Sequence, residues 1–411
     1  RRDNQKAIRQ VFRHTVSIAA QFNLIGGKLI AGDSTKLRAQ NSKKNNFNES
    51  KIEQHLVYID NKLNEYNKAL ETADNENREI ILAQIDKQNN RKDFYNNLSK
   101  ELDQNGDTQI STTDPDSRQM ITRSNITEVA YNVQTLVDAK HNLPIDYKVT
   151  NENDSKAMGT MLRRAKVILK TTDFTALYDK GYHTGSEIKK GIEMGINIMV
   201  AVPGVASFAP DERYNFDKFI YNQQADTYTC PQQQTLATNG NWYQKSKQRY
   251  LYFVKHYKTN NCDNCPALAL CTKNKKERLL ERSEYQPYIE QNKKNIEANN
   301  QTYKRRQAIV EHPYGNIKRQ WGVYYVTTKK GIRHASADVG LMFVAFNLRR
   351  LMNIIDKTML TKFLKELVSS FFQKTALLKA IRTVLRSRNF LNHQFTINYN
   401  PIYISLKLNY I

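Results

Sequence analysis

Three short stretches place an acid within or directly after an apolar run: IAGDSTK with Asp33, ALYDKGYHTG with Asp179 and IVEHPYGNIK with Glu311. Asp33 and Asp179 fall at or near the ends of predicted strands, where a carboxylate emerges at the edge on which open α/β sheets build their sites. Glu311 is the single acid between Lys304 and Arg333, a segment with eight Lys or Arg residues. Three converging carboxylates repel one another unless a divalent cation neutralises them, and hard oxygen ligands suit Mg2+ or Mn2+. Two such ions activate a water or a 3′-hydroxyl and stabilise the leaving oxygen in in-line attack on a phosphodiester. Asp116, Asp138 and Asp146 also lie near predicted strands, and pattern alone leaves them open as alternatives.

A second group is sulfur. All four cysteines lie in one segment, as Cys230 followed by Cys262-x2-Cys265-x5-Cys271. A CxxC knuckle with two further Cys approaches a four-thiolate zinc site, and four protein ligands would make that zinc structural. Free thiols in a reducing compartment are the other reading. The same segment holds WYQKSKQRYLYFVKHYK, whose Lys and Tyr residues can meet DNA by charge and by aromatic contact. His183 and His312 stand near the acids but read as polar surface residues, because a metal-activated water needs no imidazole base. Gly26, Gly27 and Gly32 form no phosphate-binding loop and read as turn residues.

The elements that must position these groups follow from periodicity. Residues 5–24 have a helical period, after which GGKLIAGDSTKLRA turns to strand signals. Ile52, Leu56, Ile59, Leu63, Tyr66 and Leu70 form a heptad seam, and Ile81, Ile85, Tyr95, Leu98 and Leu102 suit a return helix. Two strand runs, EVAYNVQTLVDAK and LPIDYKVT, precede the helical SKAMGTMLRRAKVILK; FTALYD, KGYHTGSEIKKGIEMG and INIMVAVP then read as strand, helix and strand. The fold class is a mixed α/β sheet with inserts. The organisation is 1–24, the end of a truncated N-terminal helical region; 25–50 and 111–203, the core; 51–110, a helical hairpin insertion; 204–300, a Cys-containing insertion; 301–355, core helices with Glu311; and 356–411, a tail.

The chain has 411 residues and a formal net charge of +23, which calls for a polyanion or counterion atmosphere, with nucleic acid as the default partner and an acidic membrane surface as the competitor. No run approaches the ~18 to 20 consecutive apolar residues of a spanning helix, so a cytoplasmic protein without a membrane partner is expected. The heptad hairpin and the tail are candidates for self-association.

GDSTKLRAQNSKKNN, DPDSRQM, YNVQTLVD, YDKGY and RRQAIVEHPYGNIKRQWG, in this order, resemble the successive blocks of DDE-type insertion-sequence transposases of the branch with a ribonuclease H-like core. The resemblance runs from about residue 1 to about residue 355. It implies a ribonuclease H-like fold and a catalytic metal-binding triad of Asp33, Asp179 and Glu311 holding two Mg2+ or Mn2+ ions. It also implies a reaction in which a transposon end is cut and its 3′-hydroxyl attacks target DNA, in a homo-oligomer on DNA. A non-catalytic DNA-binding descendant and a metal-dependent nuclease without strand transfer are the rival readings. Related transposases often have a Tyr-x2-Arg-x3-Glu-x6-Lys signature. Tyr303, Arg306, Glu311 and Lys318 follow it except that four residues separate Arg306 from Glu311, with Gln307 where Arg is expected. Lys318 and Arg319, with Lys304, Arg305 and Arg306, are the expected DNA-binding residues.

Overall fold

The structure is a computed structural model that describes residues 4–122, 126–204, 209–247, 250–326, 330–366 and 369. The amphipathic and β-type stretches expected in the tail lie mostly outside these residues. In chain order, α1 (Gln5–Gln21), β1 (Leu29–Ala39), β2 (Asn46–Phe47), α2 (Glu49–Thr72), α3 (Asn75–Asn105), β3 (Ile110–Ser111), β4 (Arg118–Ile121), β5 (Thr127–Asp138) and β6 (Leu143–Thr150) come first. Then come α4 (Met158–Leu169), β7 (Thr175–Tyr178), α5 (Gly185–Glu193) and β8 (Asn197–Val200). The next segment carries β9 (Ile220–Asn222), β10 (Thr227–Thr229), β11 (Thr235–Ala237), β12 (Trp242–Lys247), β13 (Tyr250–Tyr257), α6 (Leu268–Cys271) and β14 (Leu280–Ser283). Last are α7 (Gln286–Ala298), α8 (Asn300–Lys304), α9 (Arg306–Gly315), a π-helical turn (Asn316–Gln320), β15 (Tyr325–Val326) and α10 (Ile332–Ile354).

Two compact units divide the chain, Arg1–Arg350 and Leu351–Ile411. In the second, residues 357–366 are helical. The first is built on a seven-stranded mixed sheet with β5, β1, β7 and β8 in sequence across it; β4 and β6 pair with β5, and β15 pairs with β1. β1 runs antiparallel to β5 from Ile30↔Asp138 to Arg38↔Ala130, and parallel to β7 from Leu29↔Thr175 to Ala31↔Leu177. β7 and β8 are parallel and joined through α5, the usual crossover for such strands.

Side chains on α1 recur at helical spacing and bury Ile8, Phe12, Val16 and Ala19. Phe12 meets Tyr147 of β6 edge-on at 5.0 Å and Phe343 of α10 at 6.3 Å. Full burial of such a ring contributes about 1.5–3 kcal/mol. α7 fastens to β8 through fully buried Asn292, whose amide accepts from Val200 N and donates to Val200 O, both at 2.8 Å.

α2 and α3 form an antiparallel pair with a hydrophobic cluster of their own: Ile52, Ile59, Tyr95, Leu98 and Leu102, with Leu56 and Leu63 against them. Asn48 and Asp74 cap the two helices by accepting from Lys51 N and Asn77 N, and Gly106 ends α3 at φ 63°. Another separate cluster lies in the β9–β14 segment, around Tyr214, Tyr228, Leu236, Tyr257 and Leu280.

Candidate active site

Asp33 does not end its strand. It is the fifth residue of β1, which continues for six more, so the expected strand end is corrected to a point where one partner leaves. β7 pairs with β1 only as far as Ala31↔Leu177, and two further steps along that parallel register align Asp33 with Asp179. The strands are held close here because Gly32 has no side chain: a Cβ on it would lie 2.1 Å from the ring of Tyr178, which is fully buried. Gly32 is therefore a packing residue within β1 and not a turn residue.

Both aspartates are half-buried. Asp33 Oδ1 accepts from Ser34 N at 2.7 Å, and its Oδ2 accepts from Arg306 Nη1 at 3.2 Å. Burial pushes the Asp33 carboxyl up to about 6; Arg306 and the Ser34 amide pull it down, and the charge of Asp179 adds to the rise. Asp179 caps the 3-10 turn Lys180–Tyr182, its Oδ1 accepting from Gly181 N at 2.9 Å.

Asp154 joins this pair. A Cβ on Gly181 would lie 3.1 Å from Asp179 Oδ1 and 3.8 Å from Asp154 Oδ2, so the turn runs between the two carboxylates. Asp154 accepts from Lys36 Nζ at 2.9 Å and from the amides of Asn132 and Gln134 at 2.7 Å. Burial alone would raise its carboxyl, but Lys36 and these donors outweigh burial and hold it below the usual carboxylate range. Lys36 also donates to Ser34 Oγ at 2.9 Å, which links Asp154 to the residue beside Asp33.

The helix with Glu311 lies along the same strand. α9 buries Ile309, Val310 and Pro313, and Ile309 and Val310 pack with Ala31, Val137, Leu177 and Met199. The Tyr314 hydroxyl donates to Asp33 O at 3.2 Å, and Lys318 Nζ to Lys36 O at 3.1 Å. Tyr303 of α8 donates its hydroxyl to Tyr178 O at 3.0 Å. Glu311 is on the exposed side of α9, where its Oε1 accepts from Gln307 Nε2 at 2.8 Å. Asp33 and Asp179 are thus brought together, whereas Glu311 faces solvent. Among the described residues, no group of three or more His, Cys, Asp or Glu side chains is arranged to hold a metal.

The expected DNA-binding residues separate by orientation. Lys304, Arg305 and Arg319 are exposed, Arg306 is engaged with Asp33, and Lys318 reaches the β1 backbone. His183 and His312 are half-buried, with burial lowering the pKa of each ring, which favours neutral imidazoles. The alternative acids have structural partners: Asp138 accepts from Gly26 N and Gly27 N, Asp146 pairs with Arg164, and Asp116 accepts from Ile332 N.

The four cysteines come together. Cys230 at the β10–β11 turn, Cys262, Cys265 and Cys271 line one narrow cavity. Cys230 Sγ accepts from Gln234 N at 3.3 Å, and Cys265 N donates to Cys262 O at 3.1 Å. Burial pushes the Cys271 thiol up to about 11, with the other three sulfurs contributing to the rise.

Asp154 was not singled out from sequence. In TNENDSK it looks like any polar residue before a helix, and its partner Lys36 is 118 positions away.

Comparison with known proteins gives a family match over part of the chain and slight likenesses to solved structures. Residues 229–352 match a family described as "Transposase DDE domain", a stretch that contains the four cysteines and Glu311 but neither Asp33 nor Asp179. No curated protein matches. Among solved structures, the cryo-EM structure of the piggyBac transposase synaptic complex with hairpin DNA is similar at 10% identity over 69% of this chain and 55% of that chain, with a TM-score of 0.22. The chain thus spans about half of that protein's length, and a likeness this slight carries no argument. The resemblance to DDE-type transposases rests on the family match, and it is over residues 229–352 that this chain is similar to the transposase DDE domain.

Proposed function

We propose that this chain is a DNA transposase that cuts and joins transposon ends by divalent-metal-dependent phosphodiester hydrolysis and strand transfer, on a ribonuclease H-like core. The observation that carries the reading is the place where β1 and β7 part: their parallel pairing ends at Ala31↔Leu177, and Asp33 and Asp179 each follow two residues beyond it. The transposase DDE domain match over residues 229–352 supports it from the other end of the site.

Two of the three expected donors suit a divalent cation by type and place, while Glu311 is turned to solvent. Two hard carboxylates share a half-buried place, and the charge of one raises the pKa of the other. Asp33 and Asp179, with Glu311 as third ligand, would hold two Mg2+ or Mn2+ ions. When bound, these supply an activated water or 3′-hydroxyl and charge stabilisation at the phosphodiester. The chain's own residues orient the carboxylates: Ser34 N fixes one oxygen of Asp33, the Tyr314 hydroxyl fixes its carbonyl, and Gly181 N fixes Asp179. Exposed Lys304, Arg305 and Arg319 bind the phosphates of double-stranded DNA, from element end or target, by charge. Joining two ends calls for more than one copy of the chain. In the insertion, Cys230, Cys262, Cys265 and Cys271 hold a structural zinc; their shared cavity supports this reading.

The outward position of Glu311 favours a second reading, a DNA-binding descendant without catalysis. A nicking and joining assay on DNA carrying the element's ends separates the two. The wild type should give cut and joined products with Mg2+ or Mn2+, and Asp179→Asn should lower the rate about a hundredfold or more, as loss of transition-state charge stabilisation does. Equal cleavage by both proteins would sink the assignment. Cut products without joined ones would identify a nuclease that lacks strand transfer.

A further inference from the structure

Two residues of the basic run 304–319 turn inward, Lys318 to the β1 backbone and Arg306 to a carboxylate. Lys304, Arg305 and Arg319 are exposed, but the Arg306 side chain keeps only 18% of its accessible surface and forms an ion pair with Asp33 at 3.2 Å. The guanidinium therefore supplies the positive charge that Asp33 and Asp179 require when no cation is bound.

Helix geometry makes this arrangement exclusive. Arg306 and Glu311 are five positions apart in α9. At about 100° per residue, that spacing turns the two side chains about 140° away from each other. The face that delivers Arg306 to Asp33 sends Glu311 to solvent, where Gln307 holds it. Four positions would have left them only about 40° apart, on one face. The backbone allows adjustment at this point, because α8 ends at Lys304 and α9 begins at Arg306, and a π-helical turn follows α9.

An arginine fork binds phosphate oxygens at least as well as a carboxylate, often through two parallel hydrogen bonds. A DNA backbone lying on Lys304 and Arg305 offers that phosphate next door to Arg306. Removal of the guanidinium leaves two neighbouring carboxylates without a counter-charge, the condition under which a divalent cation binds best.

We propose that Arg306 gates metal loading: in the DNA-free protein it holds Asp33 in the place of a divalent cation, and DNA phosphate draws it off so that metal binds on the complex. The inference rests on the reading of Asp33 and Asp179 as metal ligands. It predicts an enzyme that stays unloaded, and so harmless, away from DNA.

The test is Mn2+ binding to the full chain, measured as loss of the free-ion EPR signal, with and without a short duplex. Wild type should bind Mn2+ about fivefold more tightly with duplex present, and Arg306→Gln should reach that affinity without DNA, as expected when a competing charge pair is removed. An Arg306→Gln protein that binds Mn2+ no more tightly than wild type without DNA overturns the gate. Asp33→Asn keeps the two failures apart. If it abolishes Mn2+ binding while Arg306→Gln matches wild type, only the gate fails; if it leaves Mn2+ binding intact, the reading of Asp33 as a ligand fails and the gate with it. Should Arg306→Gln not fold, Arg306→Met takes its place, with tighter DNA-free binding than wild type supporting the gate and unchanged binding overturning it.

Discussion

At Asp33, burial and charge act in opposite directions, and burial wins. Its carboxyl is pushed up to about 6 although Arg306 is within hydrogen-bonding distance. An acid whose folded pKa lies above its unfolded value binds its proton more tightly when folded, so its contribution to stability falls as pH rises from about 4 to about 6. Metal-free wild type should therefore lose stability across that window relative to Asp33→Asn. Thermal melts of both proteins at pH 4, 5, 6 and 7 check this, and parallel pH curves would refute it. The same comparison marks what could be read from sequence at this scale. Asp33 and Asp179 stood out because an acid after an apolar run is legible. The outward turn of Glu311 was foreshadowed by the extra residue between it and Arg306. Asp154 carried no signal, since its partners Lys36, Asn132 and Gln134 are on strands distant in sequence.

Among the elements, those with a strong period were legible and those set by a partner were not. The α2–α3 seam and the β7–α5–β8 run follow from spacing, because each element buries one face. The true length of β1 was hidden, since its far half is held by β5 and by the short β15, neither adjacent in sequence. The β9–β14 segment shows how four scattered thiols become neighbours: the β10–β11 turn carries one, the loop before α6 two, and α6 the last. If they bind zinc, ligation must take the proton from Cys271, whose thiol burial has pushed up to about 11, so zinc affinity should rise steeply with pH. Protein purified without added zinc should contain about one zinc per chain, and Cys271→Ser should lose most of it and melt at lower temperature. Absence of metal from the wild type, together with no change in melting on chelation, would leave the cysteines as packed thiols.

At the scale of the whole molecule, the charge of +23 sets how the chain meets a polyanion. No described helix is long and apolar enough to cross a membrane. Each lysine or arginine that neutralises a phosphate adds about 0.9 to the slope of log affinity against log salt. Replacing exposed Lys304, Arg305 and Arg319 together by Ala should thus flatten that slope by about 2 to 3 on any duplex sequence. Titrations at several salt concentrations measure it, and an unchanged slope would move the DNA path elsewhere. The segment that carries these residues is also stitched along β1: Tyr314 to the carbonyl of Asp33, Lys318 to that of Lys36, and β15 to Arg38 and Ala39. Those stitches act as a fixed origin from which residue number is measured backward along the helix like marks on a ruler. A chain shortened by Gln307 alone would keep every stitch, yet carry Arg306 round by about 100° to the mark Gln307 now occupies, beside Glu311 and off Asp33.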